Sequence, residues 1–391
     1  MTLPPVVYLG NDWFADNRTS SHHVARQLAR HTRVLYLEVP GLRAPQATAR
    51  DIRRIGVKVG RAFGRRVEPI ENLVVRTVLQ LPFHGSKFAR DLNTFASSAY
   101  ATAAAHREGL SDPIVWCTVP HVAKFARRLR RSLLVYHCID DYSALPGVNV
   151  SAIRALDEEL SQAADLVIAA SKPVFEAKQR QNPSVILMPH GVDVDHFASA
   201  QDAALPPPAD VSSMRRPIVG FYGLIESWID LQLVDYLATR IPEATFVMIG
   251  RTAVPSDQLP VRDNIVFLGP RSYELLPSYG RHFAVAIIPY KLTDQVIAAN
   301  PLKLREYLAM GLPIVSVSTP EIDQFAHVVH VTRSRDEFLA GVRAALERPP
   351  SPDDIARRMA AVADVSWQAK VSGLLDHVQT LLRERARSRV A

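Results

Sequence analysis

Residues 300–317 read NPLKLREYLAMGLPIVSV, and two periods meet inside them. Leu302, Tyr307, Leu308 and Met310 recur near one face of a helix, whereas Ile314, Val315, Ser316 and Val317 form a run rich in β-branched residues that reads as a strand. Proline suits the first helical position and glycine the position past the end, so Asn300-Pro301 opens the helix and Gly311 closes it. A helix feeding a strand is half of a parallel α/β unit. Lys303 and Glu306 stand three residues apart on that helix, close enough to face one object. A cation and a carboxylate so placed can read a phosphate and a pair of hydroxyls. They can equally form a solvated ion pair, which is the commoner fate of an isolated pair.

The same alternation runs outward in both directions. PPVVYLG, RVLYLEV, NLVVRTV, PIVWCTV, SLLVYHC, DLVIAAS and SVILMPH are short apolar runs followed by loop residues, with helical patterns such as HHVARQLAR and IRALDEELSQA between several of them. Residues 199–217, SAQDAALPPPADVSSMRRP, interrupt the pattern with proline, alanine and serine and read as a linker. It then restarts with RPIVGFYG, ATFVMIG, NIVFLGP, FAVAIIPY, PIVSVST and HVVHVT. The fold class is therefore α/β, with two doubly wound, Rossmann-like domains. The expected organisation is a first domain over 1–198, the linker over 199–217, a second domain over 218–365, and a helix over 366–391 that crosses back to the first domain.

Bulk properties narrow the function. The chain has 391 residues, 48% of them hydrophobic, enough for two cores. Cys117 and Cys138, its two cysteines, lie inside apolar runs and supply neither a disulfide framework nor zinc spacing, so a reducing, cytoplasmic setting is expected. Neither a signal-peptide pattern nor an apolar run long enough to span a bilayer is read. The net charge of +7 falls wholly on residues 1–200. Any anionic surface is thus expected to meet the first half.

MPHGVDVDHF (188–197), VGFYGLIESW (219–228), VAIIPY (285–290) and NPLKLREYLAMGLPIVS (300–316) occur in this order. Together they resemble the signature elements of GT-B glycosyltransferases, especially the family-four group and its bacterial polysaccharide relatives. The chain is also similar to the inverting GT-B enzymes represented by the xanthan glucuronosyltransferase. The resemblance implies two domains facing across a cleft, with an acceptor held by the first and a nucleotide-sugar, expected to be UDP-linked, held by the second. It implies that Lys303 reaches the diphosphate, that amides around Asn300 and Leu302 add donors, and that Glu306 accepts from the ribose hydroxyls. Tyr290 and Arg271 would border the base and phosphates, Arg251 joins this donor-binding set, and Gly223 would let the backbone approach the donor. His190 is a candidate for a donor phosphate contact, with a hinge-side structural role as the alternative. No paired-aspartate element stands in a suitable loop, so no metal and no cofactor is expected. Retaining members carry a second glutamate eight positions before the ribose-binding one, where this chain has Ala298. Arg251, Arg271 and Lys291 are candidates to meet a carboxylate on the donor sugar there.

For an inverting transfer the resemblance points to Asp140, after the strand SLLVYHC, as the base that deprotonates the acceptor hydroxyl. Asp141 beside it suits a helix N-cap and is an alternative for the base. His22 and His23, at the start of the first helix, are alternatives for orienting the acceptor or sharing its proton, with Asp12 and Trp13 before them as further candidates of the same kind. In ARDIRRIGVKVGRAFGRR (49–66), Ile52, Ile55, Val59 and Phe63 share a helical face, and Arg53, Arg54, Lys58, Arg61, Arg65 and Arg66 supply cations. That pattern suits an anionic membrane and a lipid-linked saccharide acceptor at the cytoplasmic face. A second basic stretch, HVAKFARRLRRSLL, reads as an ordinary surface helix. The rival readings are a sugar-nucleotide epimerase of the same fold and a basic nucleic-acid-binding protein. The latter is disfavoured because the arginines lack aromatic interleaving and no nucleic-acid motif occurs.

Overall fold

The computed structural model describes residues 3–15, 17–41, 67–79, 87–145 and 147–390. The chain divides into two compact units, the first formed by residues 1–15, 19–189 and 370–391, the second by 16–18 and 190–369. In the first unit the strands are β1 (Val6–Gly10), β2 (Val34–Glu38), β3 (Val67–Ile70), β4 (Leu73–Thr77), β5 (Ile114–Cys117), β6 (Leu133–Cys138), β7 (Leu166–Ala169) and β8 (Val185–Leu187). They form one sheet in the order β3-β4-β2-β1-β5-β6-β7-β8. All neighbours are parallel except β3, which pairs antiparallel with β4 at the edge. Every described residue of β1, β2, β5, β6 and β7 is buried, as expected of parallel strands covered on both faces.

The second unit holds β9 (Ile218–Tyr222), β10 (Thr245–Ile249), β11 (Ile265–Gly269), β12 (Val285–Ile288), β13 (Ile314–Val317) and β14 (His330–Thr332). Their order is β11-β10-β9-β12-β13-β14, all parallel. The winding thus reverses between β9 and β12. In open sheets of this kind ligands bind outside the carboxyl ends of the strands at that reversal. The expected α/β class and the doubly wound strands are borne out in both units.

Several local readings change. The chain leaves the first unit after Pro189, and residues 199–217 are part of the second unit rather than a linker. They carry the turns Ser199–Gln201 and Ala209–Ser212, with Ala200 and Val211 buried. The prolines that suggested a flexible connection instead set extended backbone between two anchored turns. The stretch 121–134 has Val122, Phe125 and Leu129 buried, while Arg127 pairs with Glu159 at 2.8 Å and Arg130 with Asp112 at 2.6 Å. It is an ordinary packed segment with solvated charges. Arg53, Arg54, Lys58, Arg61, Arg65 and Arg66 lie outside the described residues. Among the described residues no helix is long and apolar enough to cross a membrane.

At the carboxyl edge of the second sheet Gly223 and Gly250 have φ of +138° and +140°. A Cβ on Gly250 would collide with the carbonyl of Gly223. Replacing Gly250 with alanine adds both strain and overlap, and should destabilise the protein by about 2 kcal/mol or more. Gly373, in helix Trp367–Val390, has open space where a Cβ would stand, with no neighbour within 4 Å, so Gly373→Ala should be neutral or slightly stabilising. Urea unfolding of the two variants checks the contrast. Equal midpoints for both would contradict it.

Candidate functional site

Helix Leu302–Ala309 begins after Pro301 with no side chain capping its first turn, so the opening amides stay available to an outside acceptor. Proline sits one position earlier than the sequence pattern placed it, and Gly311, at φ +73°, closes the helix as expected. The helix is docked on the sheet by Tyr307, which is fully buried and whose hydroxyl accepts the Tyr222 amide at 3.0 Å.

Docking in this way carries Lys303 to the reversal between β9 and β12. Its Nζ donates to the Tyr290 hydroxyl at 2.7 Å and lies 5.1 Å from the Phe221 ring centre and 5.0 Å from that of Tyr290. A Cβ at Gly223 would stand 3.0 Å from Lys303 Cε and 3.2 Å from Nζ. Gly223 is therefore a close-approach glycine that makes room for the ammonium. Among the described residues Lys303 forms no ion pair.

Glu306, one turn along, is 9% exposed. Burial pushes its carboxyl up to about 7, against the opposing pull of the Tyr222 hydroxyl and the Lys303 ammonium. The Tyr222 hydroxyl faces the carboxyl without closing to a hydrogen bond of ordinary geometry. Tyr273 is the other aromatic wall. Its ring stacks on His196 at 4.6 Å, and its own hydroxyl is held above the ordinary range by burial and then by the Glu306 and Asp193 carboxylates. Phe221, Tyr222 and Tyr273 escaped the sequence reading, although Tyr222 directly precedes Gly223 and Tyr273 follows Arg271 by two residues.

Other expected donor-side residues have different work. Arg271 pairs with Asp210 at 2.7 Å, donates to the Tyr279 hydroxyl at 2.8 Å and to the Leu268 carbonyl at 2.6 Å. It ties the turn Ala209–Ser212 to the loop after β11 and is not a free phosphate or carboxylate binder. Arg251 follows Gly250 at the end of β10, and its carbonyl accepts the Ile225 amide at 3.0 Å. Lys291 is exposed, and Leu302 is the first residue of the helix. Asn300 is a buried hub: its side chain accepts from Arg305 at 2.6 Å and donates to Glu321, and its carbonyl accepts from His190 Nδ1 at 2.8 Å. That bond puts the proton of His190 on Nδ1, leaving Nε2 as a buried acceptor. Burial, helped by the Arg305 charge, lowers His190 to about 3. A neutral imidazole whose N–H is already engaged does not bind phosphate, so His190 is structural here.

In the first unit Asp140 follows β6 and is partly exposed. It accepts the Asp141 amide at 2.9 Å. Burial of its carboxyl raises it to about 7, with the Asp141 charge adding to the shift and that amide opposing it. Asp141 caps the turn Tyr142–Ala144 by accepting the Ser143 amide at 3.0 Å and hydroxyl at 2.7 Å. His22 is fully engaged. Nδ1 accepts the Thr19 amide at 3.0 Å, and Nε2 donates to the carbonyls of Asp12 and Trp13 at 3.1 and 3.2 Å. With both ring nitrogens engaged it closes the start of helix Ser20–Ala29, and burial takes its pKa down to about 4. His23 is buried in the same helix, and Trp13 lies 5.0 Å from the His22 ring.

Comparison with known proteins agrees with this architecture. Residues 211–363 match the family described as Glycosyl transferases group 1. The chain is similar to TuaH of Bacillus subtilis (strain 168), a protein named as a teichuronic acid biosynthesis glycosyltransferase, at 26% identity over 223 residues. That alignment covers 53% of this chain and 55% of the relative, so the chain spans about half the length of the curated relative it matches. Among solved structures it is similar to sucrose-phosphate synthase from Thermosynechococcus elongatus (TM-score 0.70, 15% identity, 97% of this chain and all of that one). It is also similar to HepE of Anabaena, solved with UDP and glucose (TM-score 0.64, 14% identity, 96% and 99% covered). These likenesses show the GT-B fold.

The raised carboxyl of Glu306 has a direct consequence for stability. A carboxyl at about 7 in the fold and 4.5 when unfolded contributes stability that is complete below 4.5 and lost as pH rises through 7. Across that window the wild type should lose about 2–3 kcal/mol relative to Glu306→Gln. Urea unfolding of both proteins at pH 5 and pH 8.5 measures it, and parallel pH profiles would contradict the assigned burial.

Proposed function

From the match of residues 211–363 to Glycosyl transferases group 1, we propose that the chain moves a sugar from a UDP-linked donor to a lipid-linked saccharide during assembly of a bacterial surface polysaccharide. The observation that carries this reading is Lys303: an ammonium at the reversal point of the second sheet, with a tyrosine hydroxyl and two aromatic rings around it and no ion pair among the described residues. A cation withdrawn from water favours an anion that brings its own charge, and a diphosphate does so. Glu306, one turn on, suits the two hydroxyls of a ribose. UDP in the HepE structure supports the choice of nucleotide, and the name of TuaH supports the choice of polysaccharide assembly.

In this reading Lys303 and the first-turn amides of helix Leu302–Ala309 stabilise the charge of the departing diphosphate, and no resident metal or cofactor takes part. Asp140 is the assigned base: a carboxyl near 7 can take the acceptor proton as the oxygen attacks the anomeric carbon while the bond to the diphosphate breaks. The basic residues of 49–66 in the sequence support attachment to the cytoplasmic face of an anionic membrane.

Calorimetric UDP binding combined with transfer assays tests the assignments. Lys303→Ala should weaken UDP by about 10- to 100-fold, the effect of losing a charged hydrogen bond to phosphate. Asp140→Asn should keep UDP affinity and lower transfer by about 100-fold or more. UDP binding that ignores Lys303→Ala, or an Asp140→Asn protein that transfers at the wild-type rate, would overturn the respective role. Conversion of a UDP-sugar to its epimer without any acceptor would replace transfer with epimerisation.

A further inference from the structure

We propose that the second unit carries a second ligand site, a cavity of about 550 Å³ at the amino-terminal ends of β13 and β14, which takes a phosphomonoester with a short apolar body. Its size falls in the range of small-molecule clefts. Ile314, Val315, Val328 and Ala345 supply the apolar share of its lining. Helix Arg335–Glu347 forms one wall and presents Gly341 and Ala344, where small residues keep the space open. A Cβ at Gly341 would run into the His330 ring, which also borders the cavity.

The rim is cationic. Arg348, Arg357 and Arg358 line it against one carboxylate, Asp354. Asp354 is paired with Arg357. Arg358 is half-buried and donates to the Gly311 carbonyl at 3.3 Å. Burial holds its pKa below the ordinary value; Asp354 opposes that shift and the neighbouring Arg357 charge adds to it. Arg348 is exposed and forms no ion pair among the described residues. Three guanidinium groups and one carboxylate leave an excess of positive charge that an anion would offset, and the planar donor fork of arginine matches phosphate. The apolar share of the lining favours an anion with an organic body over inorganic phosphate. Lys303 stands at the opening of helix Leu302–Ala309, whereas Arg358 of the cavity rim meets the Gly311 carbonyl just past its end, about 12 Å from Lys303 along that helix. The inference does not depend on the nucleotide reading.

Calorimetry on the full chain with hexyl phosphate, inorganic phosphate and hexanol tests it. Hexyl phosphate is expected to bind once per chain, inorganic phosphate about tenfold more weakly, and hexanol not at all. Arg348→Glu, which changes an exposed charge, and Ala344→Leu, which fills the space, should each weaken hexyl phosphate about tenfold while UDP binding stays as in the wild type. The proposal is overturned if hexyl phosphate gives no saturable heat, if both variants bind it as the wild type does, or if saturating UDP displaces it. Flotation on vesicles containing phosphatidic acid, the lipid phosphomonoester, then distinguishes the source: a loss with Arg348→Glu assigns the anion to a lipid headgroup, and unchanged flotation assigns it to a soluble phosphomonoester.

Discussion

A positive charge held at a sheet's reversal point, with no ion pair among the described residues, is the constraint on which the second unit turns. Lys303 reaches that point because helix Leu302–Ala309 is fixed there by the Tyr307 hydroxyl on the Tyr222 amide and by the buried Asn300 hub at its mouth. Gly223 keeps the space for the ammonium open. Phe221 and Tyr290 remove water from it without neutralising it. Burial holds the Glu306 carboxyl near 7, so the local site is short of negative charge in two ways at once. An incoming anion corrects the first, and hydroxyl donors to the carboxylate correct the second.

The Asn300 hub shows how the fold supports that arrangement. Asn300 joins the turn after Pro189, the helix itself through Arg305, and helix Pro320–Asp323 through Glu321. Burial lowers Arg305 to about 10, with the Glu321 charge pulling the other way. A buried charge pair bridged by an amide contributes geometry more than stability. Here the geometry it holds is the direction in which the first helical turn points.

Much of this was legible from residue order. The apolar runs became strands almost one for one, because parallel strands buried on both faces carry continuous apolar sequence. Lys303 and Glu306 could be paired because helical spacing is local. What failed were roles decided by distant partners. Arg271 looked available until the fold brought Asp210 to it from 61 positions away. His22 looked reactive until the carbonyls of Asp12 and Trp13 accepted a hydrogen bond from its Nε2. Residues 199–217 read as a linker because proline signals a break in periodicity, whereas burial of Val211 depends on tertiary packing. Tyr273 was invisible because its importance comes from meeting Glu306, 33 positions later in the chain.

The most direct measurement is a crystal structure of the protein soaked with UDP, read at one atom. Lys303 Nζ should leave the Tyr290 hydroxyl for a diphosphate oxygen at about 2.8 Å, with the ribose hydroxyls on Glu306. A diphosphate bound elsewhere, with Lys303 still on Tyr290 and Glu306 untouched, would contradict the account.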